Sequence, residues 1–296
     1  MIRDFIKKLD IEFYEEISLK RYNTYRLDTI CKYLVFPDNK ENLRDLIKFL
    51  TEENIKYVVL GNGSNVIFSA DYYDGVVILL NKFNKMTVDG NIVNVEAGYS
   101  LPKLALEVSK MGLGGLEFAA GIPGFVGASV AMNAGAYNSS MQEVVSSVLV
   151  LDPEFNFREL KNEELDFSYR SSLFKKEKGY IIISAVMKLD TGDSEELIEK
   201  INKRRAKRMI SQPLDMPSAG SVFRNPENMY AGELVEKCGL KGYSIGGAMI
   251  SLKHANFIVN SGNAKGSEIV TLINKIRTDV DDKFGVKLIL EQIIID

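Results

Sequence analysis

Apolar residues recur at helical intervals in two places near the N-terminus. In residues 1–20, several of them lie four positions apart, which predicts a helical lead-in. They are Phe5, Leu9, Phe13 and Ile17. Residues 40–54 show the pattern of an amphipathic helix with one buried stripe. The stripe consists of Leu43, Leu46, Ile47 and Leu50. Between these helices, residues 23–37 predict an extended chain that closes in a strand.

Further along, short apolar runs alternate with turn residues, a pattern typical of strands. The predicted strands are residues 57–60, 66–68, 76–80, 86–88 and 92–96. An Asp-Gly-Asn turn separates the last two, which predicts a hairpin. Ser100 then caps a predicted helix that has Pro102 in its first turn and Gly112 beyond its end.

A polar turn at residues 190–193 is the predicted boundary between two domains. The strongest strands, 144–151 and 180–189, come before it, and a long helix over about 193–209 follows it. At 296 residues the chain is long enough for two hydrophobic cores. The predicted divisions are a helical lead-in over 1–20, a first domain over 21–190 and a second domain over 191–296.

The second domain is predicted to mix helices and short strands. Its helices are expected at residues 231–238, ended by Gly239, and 267–284, ended by Gly285. Its strands are expected near 248–250, 255–259 and 287–295. The fold class expected from the whole pattern is therefore α+β, with a strand-rich first domain.

Composition excludes several classes of function. A formal net charge of -3 and 46% hydrophobic residues describe an ordinary soluble protein with no electrostatic case for nucleic acid. The charged N-terminus does not resemble a signal peptide, and no apolar run is long enough to span a membrane. Cys31 and Cys238 lie far apart and predict reduced thiols in a cytoplasmic protein. With His254 as the single histidine, neither a metal site nor a conventional serine triad is expected.

Two glycine-rich segments carry the strongest functional signal. Residues 61–65 read Gly-Asn-Gly-Ser-Asn after an apolar run, and residues 121–137 are uncharged and rich in glycine. Such segments suit positions where the backbone approaches a ligand or another segment closely. No P-loop occurs, and Val66 stands where a dinucleotide fingerprint needs its third glycine. We expect the two loops to share one ligand, most simply the pyrophosphate of a cofactor.

Three polar residues stand in contexts that composition does not explain. Arg170 lies among aromatic residues, where a guanidinium should be paired structurally or directed at an anion. Ser221 lies in a Gly-Ser turn between two prolines and is either structural or chemical. Glu291 interrupts the apolar C-terminal run. It either faces solvent or is half-buried with a raised pKa.

The helix predicted over 193–209 is strongly basic. Its cations are Lys200, Lys203, Arg204, Arg205, Lys207 and Arg208. This face is either simply solvated or helps to hold an anionic substrate, in which case Arg208 is the principal candidate.

Taken in order, the motifs resemble one family. They are GNGSN, GIPGFVGASVAMNAGAY, YRSSLFK, PSAGSVFRNP, AGELVEKCGLKG, SLKHANFIVN and FGVKLILEQI. From about residue 20 onward the chain resembles the UDP-N-acetylenolpyruvoylglucosamine reductases (MurB). The resemblance implies an FAD-binding domain of the vanillyl-alcohol-oxidase (PCMH) type, followed by a smaller α+β substrate domain. It also implies the compact subgroup, which lacks an extra loop bearing a tyrosine.

The resemblance implies a reaction and a set of roles. NADPH would reduce non-covalent FAD, which would reduce the enolpyruvyl group of UDP-N-acetylglucosamine enolpyruvate to UDP-N-acetylmuramate for peptidoglycan. Ser221 would donate a proton, while Arg170 and Glu291 would polarise the substrate carboxylate. Arg224, Asn225 and Arg208 would bind substrate. The residues implied for FAD are Gly61, Asn62, Gly63, Ser64, Asn65, Gly121, Pro123, Gly124, Gly127, Ala128 and Asn133.

Some features leave alternatives open. Gln292 and Asp296 depart from the family's pattern beside Glu291 and weaken the assignment of that carboxylate. His254 matches the family's pattern but is expected to be structural. A different FAD oxidoreductase of the same fold, acting on an alcohol or sugar, and a nucleotide-sugar binding protein without redox activity are the competing functions. We expect a cytoplasmic monomer that inserts in no membrane.

Overall fold

The computed structural model describes residues 1–296 and contains both helices and strands throughout. The helices are α1 (Ile2–Lys8), α2 (Lys40–Glu52), α3 (Leu101–Lys110), α4 (Val126–Ala131), α5 (Leu173–Lys176), α6 (Ser194–Ser211), α7 (Ala231–Lys237) and α8 (Gly266–Phe284). The strands of the first two hundred residues are β1 (Glu12–Ser18), β2 (Ile30–Phe36), β3 (Tyr57–Leu60), β4 (Val66–Phe68), β5 (Tyr72–Leu79), β6 (Met86–Asp89), β7 (Ile92–Glu96), β8 (Leu113–Gly114), β9 (Gly135–Ala136), β10 (Ser139–Ser140), β11 (Val145–Leu151), β12 (Phe157–Lys161), β13 (Ile181–Lys188) and β14 (Asp190–Thr191). The remaining strands are β15 (Ser244–Ile245), β16 (Ala248–Ile250), β17 (Ile258–Asn260) and β18 (Ile293–Ile295).

Two compact units divide the chain, and each is assembled from separate segments. The first unit comprises Met1–Glu15, Tyr33–Gly61 and Gly75–Ala206. The second unit comprises Glu16–Lys32, Asn62–Asp74 and Lys207–Asp296. These units differ from the three consecutive ranges 1–20, 21–190 and 191–296, because two short N-terminal segments belong with the C-terminal unit. A division into consecutive ranges cannot describe units that are built from separated segments.

The first unit is organised around an antiparallel sheet with the order β12-β11-β13-β7-β6. In its centre Val148 pairs with Ala185, and Ala185 pairs with Val95. The short helix α4 packs against β13 and β7. The buried side chains of this sheet therefore support α4, which lies in the middle of the glycine-rich segment.

A second sheet has the order β1-β2-β5-β3, in which β3 and β5 are parallel. Helix α2 belongs to the same core, and all four residues of its predicted apolar stripe are buried. The side-chain oxygen of Asn39 accepts a hydrogen bond from the Asn42 amide and caps this helix. The amphipathic period thus predicted both the helix and the face that it buries.

The second unit contains the antiparallel sheet β15-β16-β17, against which α8 packs. Five apolar residues of α8 are buried, and they are Ile269, Leu272, Ile273, Ile276 and Val280. Gly285 ends this helix in the left-handed region, with φ of 66°. Strands β4 and β18 form a separate parallel pair, with Ile67 opposite Ile294.

Two predicted elements are wrong in part. Residues 12–18 form a strand rather than the second half of a helical lead-in. Asp10 has φ of 53°, and the Ile11 amide donates to the Ile6 carbonyl, so α1 ends after two turns. The strand predicted over 287–295 is present only at Ile293–Ile295. Spacing alone missed the break at Asp10 because Phe13 and Ile17 satisfy a helical interval while lying in a strand.

We predict that Leu46→Ala destabilises the first unit by about 2–5 kcal/mol, because it removes a fully buried side chain of α2 and leaves a cavity. Denaturant unfolding followed by circular dichroism measures the change. The matched control is Lys48→Ala on the exposed face of α2, where the pair with Glu52 spans 3.8 Å and both side chains are more than half exposed. A loss at Leu46 no larger than that at Lys48 would contradict the assignment of the core.

Candidate active site

A cavity of about 150 Å³ lies within the first unit, beside the glycine-rich segment. Its walls are mostly apolar and aromatic. They include Gly61, Gly127, Ala128, Phe125, Phe174, Tyr180 and Ile182. An apolar slot bordered by glycine backbone suits a flat aromatic group attached to a polar chain. The structure therefore brings together three residues that the sequence assigned to a cofactor, namely Gly61, Gly127 and Ala128.

Close backbone packing explains two glycines of this cavity. A Cβ atom at Gly61 would lie 2.8 Å from the Ala128 Cβ, and one at Gly127 would lie 2.7 Å from the Ala97 Cβ. Neither contact is sterically acceptable, so both positions require glycine. The Gly127 amide donates to the Ala97 carbonyl at 2.8 Å, and the Val126 amide donates to the Tyr99 carbonyl at 2.9 Å. These two amides therefore hold the loop in place.

The structure also locates the other glycine-rich residues that the sequence assigned to a cofactor. Gly121 ends a short 3₁₀ helix, Pro123 is exposed, and the Gly124 carbonyl accepts a hydrogen bond from the Leu101 amide. Asn62 is exposed and Ser64 is half-buried in the segment that follows β3. The structure assigns residues 62–65 to the second unit and Gly61 to the first.

Within the second unit, the 62–65 segment is anchored at two residues. Gly63 has φ of 62°, and a Cβ there would lie 2.2 Å from the Tyr22 carbonyl oxygen. Its own carbonyl accepts a hydrogen bond from the Thr24 amide. Asn65 donates through Nδ2 to the Glu291 carbonyl oxygen at 3.1 Å. The segment therefore fixes part of the backbone that carries Glu291.

Arg170 lies in the first unit, on a tight turn closed by reciprocal amide bonds between Ser168 and Ser171. Its φ of 56° is unusual for arginine. Nη2 donates to the Gly135 carbonyl at 2.7 Å, and the guanidinium lies 5.3 Å from the centre of the Tyr169 ring. These contacts hold the side chain beside the end of the glycine-rich segment.

Asn133 supports this turn through its side-chain amide. It is buried, donates to the Ser168 carbonyl at 2.9 Å and accepts from the Gln142 amide at 3.0 Å. Ser172 adds a second anchor, because its hydroxyl donates to the Ala131 carbonyl. Sequence reasoning placed Asn133 near a cofactor and missed its link to the turn of Arg170. The Asn in the uncharged run was the only available signal.

Ser221 and Glu291 both belong to the second unit, on neighbouring stretches of chain. Gly220 precedes the serine with φ of 74°. The Glu291 amide donates to the Val222 carbonyl at 2.8 Å, and the Arg224 amide donates to the Ile289 carbonyl at 2.9 Å. The backbone of Glu291 is therefore paired with Val222, the residue that follows Ser221, although 69 positions separate them in sequence.

The sequence missed Asn256 as a support of this pair. Its buried side chain accepts from the Phe223 amide at 2.9 Å and donates to the Phe223 carbonyl at 2.8 Å, as a neighbouring strand would. The Asn256 amide in turn donates to His254 Nδ1 at 3.2 Å. His254 thus has the structural role expected of it. Asn256 lies in the motif SLKHANFIVN, but the motif does not indicate that its side chain bonds Phe223.

The candidate substrate residues have local partners. Arg208 Nε donates to Gln212 Oε1 at 3.1 Å, and the exposed Asn225 accepts from the Ala231 amide at the start of α7. Arg224 is half-buried next to the Ser221 segment. No helix of the chain is both long and apolar enough to cross a bilayer.

Two family profiles match the chain. One, described as an FAD binding domain, matches residues 31–157. The other, described as the C-terminal domain of UDP-N-acetylenolpyruvoylglucosamine reductase, matches residues 212–295. The first match contains the glycines of the cavity, and the second contains Ser221 and Glu291.

Proteins with these names are similar over nearly the whole chain. The UDP-N-acetylenolpyruvoylglucosamine reductase of Caldicellulosiruptor bescii is 42% identical over 96% of this chain and 91% of its own. That of Clostridium perfringens is 39% identical over 100% of this chain and 96% of its own. The crystal structure of the Thermus caldophilus enzyme superposes with a TM-score of 0.82 at 33% identity, covering 97% of this chain and 99% of its own. A glucose dehydrogenase, Phl p 4.0202, shares the fold alone, with a TM-score of 0.50 at 18% identity over 64% of this chain and 44% of its own.

We predict that the free energy of unfolding falls as the pH drops below about 6.5, the ordinary pKa of histidine. Burial, assisted by Lys241, lowers the pKa of His254 below 6.5. In this range the unfolded chain binds a proton that the folded chain does not, and the loss is at most about 1.4 kcal/mol per pH unit.

Denaturant unfolding of the wild type and His254→Asn at pH 7.5 and pH 5.5 tests this prediction. Asparagine keeps an acceptor for the Asn256 amide but does not titrate, so the difference between the two pH values should shrink. An equal pH dependence in both proteins would show that His254 does not cause it.

Proposed function

The chain belongs to the UDP-N-acetylenolpyruvoylglucosamine reductase family, and we propose that NADPH is its reductant and that Ser221, Arg170 and Glu291 carry the chemistry on the substrate. It is an FAD-dependent oxidoreductase of peptidoglycan precursor synthesis, with an FAD-binding domain of the vanillyl-alcohol-oxidase type and an α+β C-terminal domain. The observation that carries the roles is local. Ser221 and Glu291 lie on paired backbone segments of one unit.

The first unit has the features that FAD requires. Its cavity is apolar, contains aromatic side chains and is bordered by two positions that accept only glycine. Gly61, Gly127 and Ala128 would line the cofactor, and Gly121, Pro123 and Gly124 would face its polar chain. When bound here, FAD would supply hydride transfer, from NADPH to the terminal methylene carbon of the enolpyruvyl group.

Arg170 and Glu291 would stabilise the charge that develops on the substrate. Adding hydride to an enol ether places negative charge on the carbon next to the carboxylate, and delocalisation into the carboxylate lowers its energy. A guanidinium and a carboxyl group that can donate a hydrogen bond suit that task. Arg170 has the preorganisation this role needs, because its turn is fixed by Asn133 and its guanidinium by Gly135.

Ser221 would donate its hydroxyl proton to the same carbon and recover a proton from solvent afterwards. A serine is a weak acid, so it serves only where its position is well defined and the acceptor is very basic. Arg224, Asn225 and Arg208 would bind the anionic nucleotide portion of the substrate. The protein is proposed to act as a monomer in the cytoplasm.

We predict that Ser221→Ala slows reoxidation of the reduced enzyme by UDP-N-acetylglucosamine enolpyruvate about 10²–10⁴-fold, while reduction by NADPH stays near the wild-type rate. The reason is that only the second half-reaction consumes the serine proton. Anaerobic stopped-flow absorbance of the flavin measures each half-reaction separately.

Two variants sharpen this test. Ser221→Cys keeps an acidic proton at the same place and should recover part of the loss. Ser244→Ala removes the hydroxyl of an exposed serine of the same unit and should change neither half-reaction. If Ser221→Ala slows both half-reactions equally, the serine is not the proton donor.

We predict that Gly61→Ala weakens FAD binding at least about tenfold, or about 1.4 kcal/mol. The added methyl group would collide with Ala128 and displace one wall of the cavity. Gel filtration followed by the flavin-to-protein absorbance ratio measures retention of the cofactor. Gly262→Ala is the matched control, because a Cβ there meets no atom within 4 Å. Full retention of FAD in Gly61→Ala would contradict the assignment of the cavity.

A further inference from the structure

A buried polar bridge joins two ends of the chain within the second unit. The Tyr25 hydroxyl donates to Gln292 Oε1 at 3.0 Å. Tyr25 is fully buried, and Gln292 is 3% exposed. Glutamine and tyrosine are rarely buried so completely unless their polar atoms are satisfied. The bridge therefore has a partner for every polar group that it brings into the core.

The other end of the glutamine holds the chain just before Ser221. Gln292 Nε2 donates to the Ala219 carbonyl at 3.0 Å and to the Gly220 carbonyl at 3.2 Å. Burial raises the pKa of the Tyr25 hydroxyl, so this group remains a donor at all working pH values. Because Tyr25 occupies the oxygen of the amide, the amide nitrogen is oriented toward the two carbonyls.

This contact fixes a stretch that would otherwise be poorly defined. Gly220 has a positive φ of 74°, and glycine by itself is free to adopt many other backbone conformations. On the far side of the serine, Asn256 bonds both the amide and the carbonyl of Phe223. Ser221 therefore lies between two buried side-chain amides, one on each side, and neither belongs to a regular strand.

Gln292 is also linked to Glu291, whose backbone is paired with the segment that carries Ser221. Gln292 follows Glu291 directly, and Asn65 holds the carbonyl of Glu291 while its own carbonyl accepts from the Ile293 amide. Anchoring Gln292 in the core therefore fixes the backbone of Glu291 relative to the 219–222 segment. One side chain links both proposed catalytic positions of this unit.

We propose that Gln292, oriented by Tyr25, is a positioning residue that holds Ser221 and Glu291 in register for proton donation. The inference rests on the proposed roles of those two residues. A displacement of about 1 Å in a reacting group can cost on the order of 100-fold in rate. The departure that the sequence shows at position 292 is thus a support for Glu291, not a reason to doubt it.

The variants separate the two ends of the bridge. Gln292→Met keeps a similar volume but removes all three hydrogen bonds. Gln292→Glu keeps the acceptor for Tyr25 and removes the donors to Ala219 and Gly220. Tyr25→Phe removes only the hydroxyl and is the mildest change, so it remains informative if a glutamine variant fails to fold. Ile276→Val, in the core of the same unit, is the control for lost stability without a change in the bridge.

Stopped-flow measurement of the holoenzyme gives the first readout. We expect Gln292→Met to reduce flavin reoxidation by UDP-N-acetylglucosamine enolpyruvate about 10–100-fold at saturating substrate, with KM and reduction by NADPH within about twofold of the wild type. Tyr25→Phe should have a smaller effect in the same direction. The double variant should be no slower than Gln292→Met, since both act through one contact.

Amide hydrogen exchange gives a readout that does not depend on turnover. The Arg224 amide donates to the Ile289 carbonyl, the Glu291 amide to the Val222 carbonyl and the Val222 amide to the Asn256 carbonyl. Their exchange should accelerate at least about tenfold in Gln292→Met and Gln292→Glu, and remain near wild type in Ile276→Val.

The positioning role is overturned if Gln292→Met slows both half-reactions equally, or if it lowers the melting temperature as Ile276→Val does while reoxidation stays normal. Ser221→Ala distinguishes a failure of the positioning role from a failure of the proposed proton donor. If Ser221→Ala slows reoxidation and Gln292→Met does not, only the positioning role fails. If Ser221→Ala leaves reoxidation unchanged, the proposed proton donor fails first and the positioning role falls with it.

Discussion

The irregular segments that carry the polar candidates are held by buried side-chain amides. Asn133 fixes the turn of Arg170, and Asn256 and Gln292 fix the chain on either side of Ser221. A buried backbone group without a partner costs about 1–3 kcal/mol, so chain that leaves a strand or helix must find substitutes. Asparagine and glutamine supply N–H donors and a carbonyl acceptor in one plane, so they can replace the partners that a peptide group would offer. These side chains therefore hold an irregular segment in one conformation, although it lacks the backbone hydrogen bonds of a strand or a helix.

A second constraint operates in the first unit, where two glycines let the backbone pack directly against neighbouring residues. Gly61 and Gly127 approach Ala128 and Ala97 so closely that no larger residue fits. Their absence of side chains shapes a narrow apolar cavity between a strand end and α4. The sheet beneath α4 keeps that arrangement rigid, since interiors at native density move little. In the first unit close backbone approach thus acts together with the buried amide of Asn133, whereas the chain on either side of Ser221 is held by the buried amides of Asn256 and Gln292.

These two devices suit the chemistry of the family. A flavin needs an apolar slot, and the cavity bordered by Gly61 and Gly127 is lined mostly by apolar and aromatic residues. A serine that donates a proton needs exact placement because its own acidity is low. Tyr25 and Gln292, from opposite ends of the chain, meet inside one core, and Gln292 donates to the Ala219 and Gly220 carbonyls just before Ser221. The N-terminal segment of this unit is therefore linked through Gln292 to the chain next to Ser221.

Periodicity determined the amphipathic helix α2 and the face that it buries, because one buried face imposes a regular spacing that a linear pattern displays. Leu43, Leu46, Ile47 and Leu50 are the clearest instance. Order and composition of the motifs likewise determined the family and the fold class. Local pattern failed where a turn interrupts it, as at Asp10, and where a residue's partner lies far away. Only tertiary structure showed that Gln292 belongs beside Ala219 and Tyr25 and that the second unit includes N-terminal segments, because contacts between distant residues leave no periodic trace in the chain.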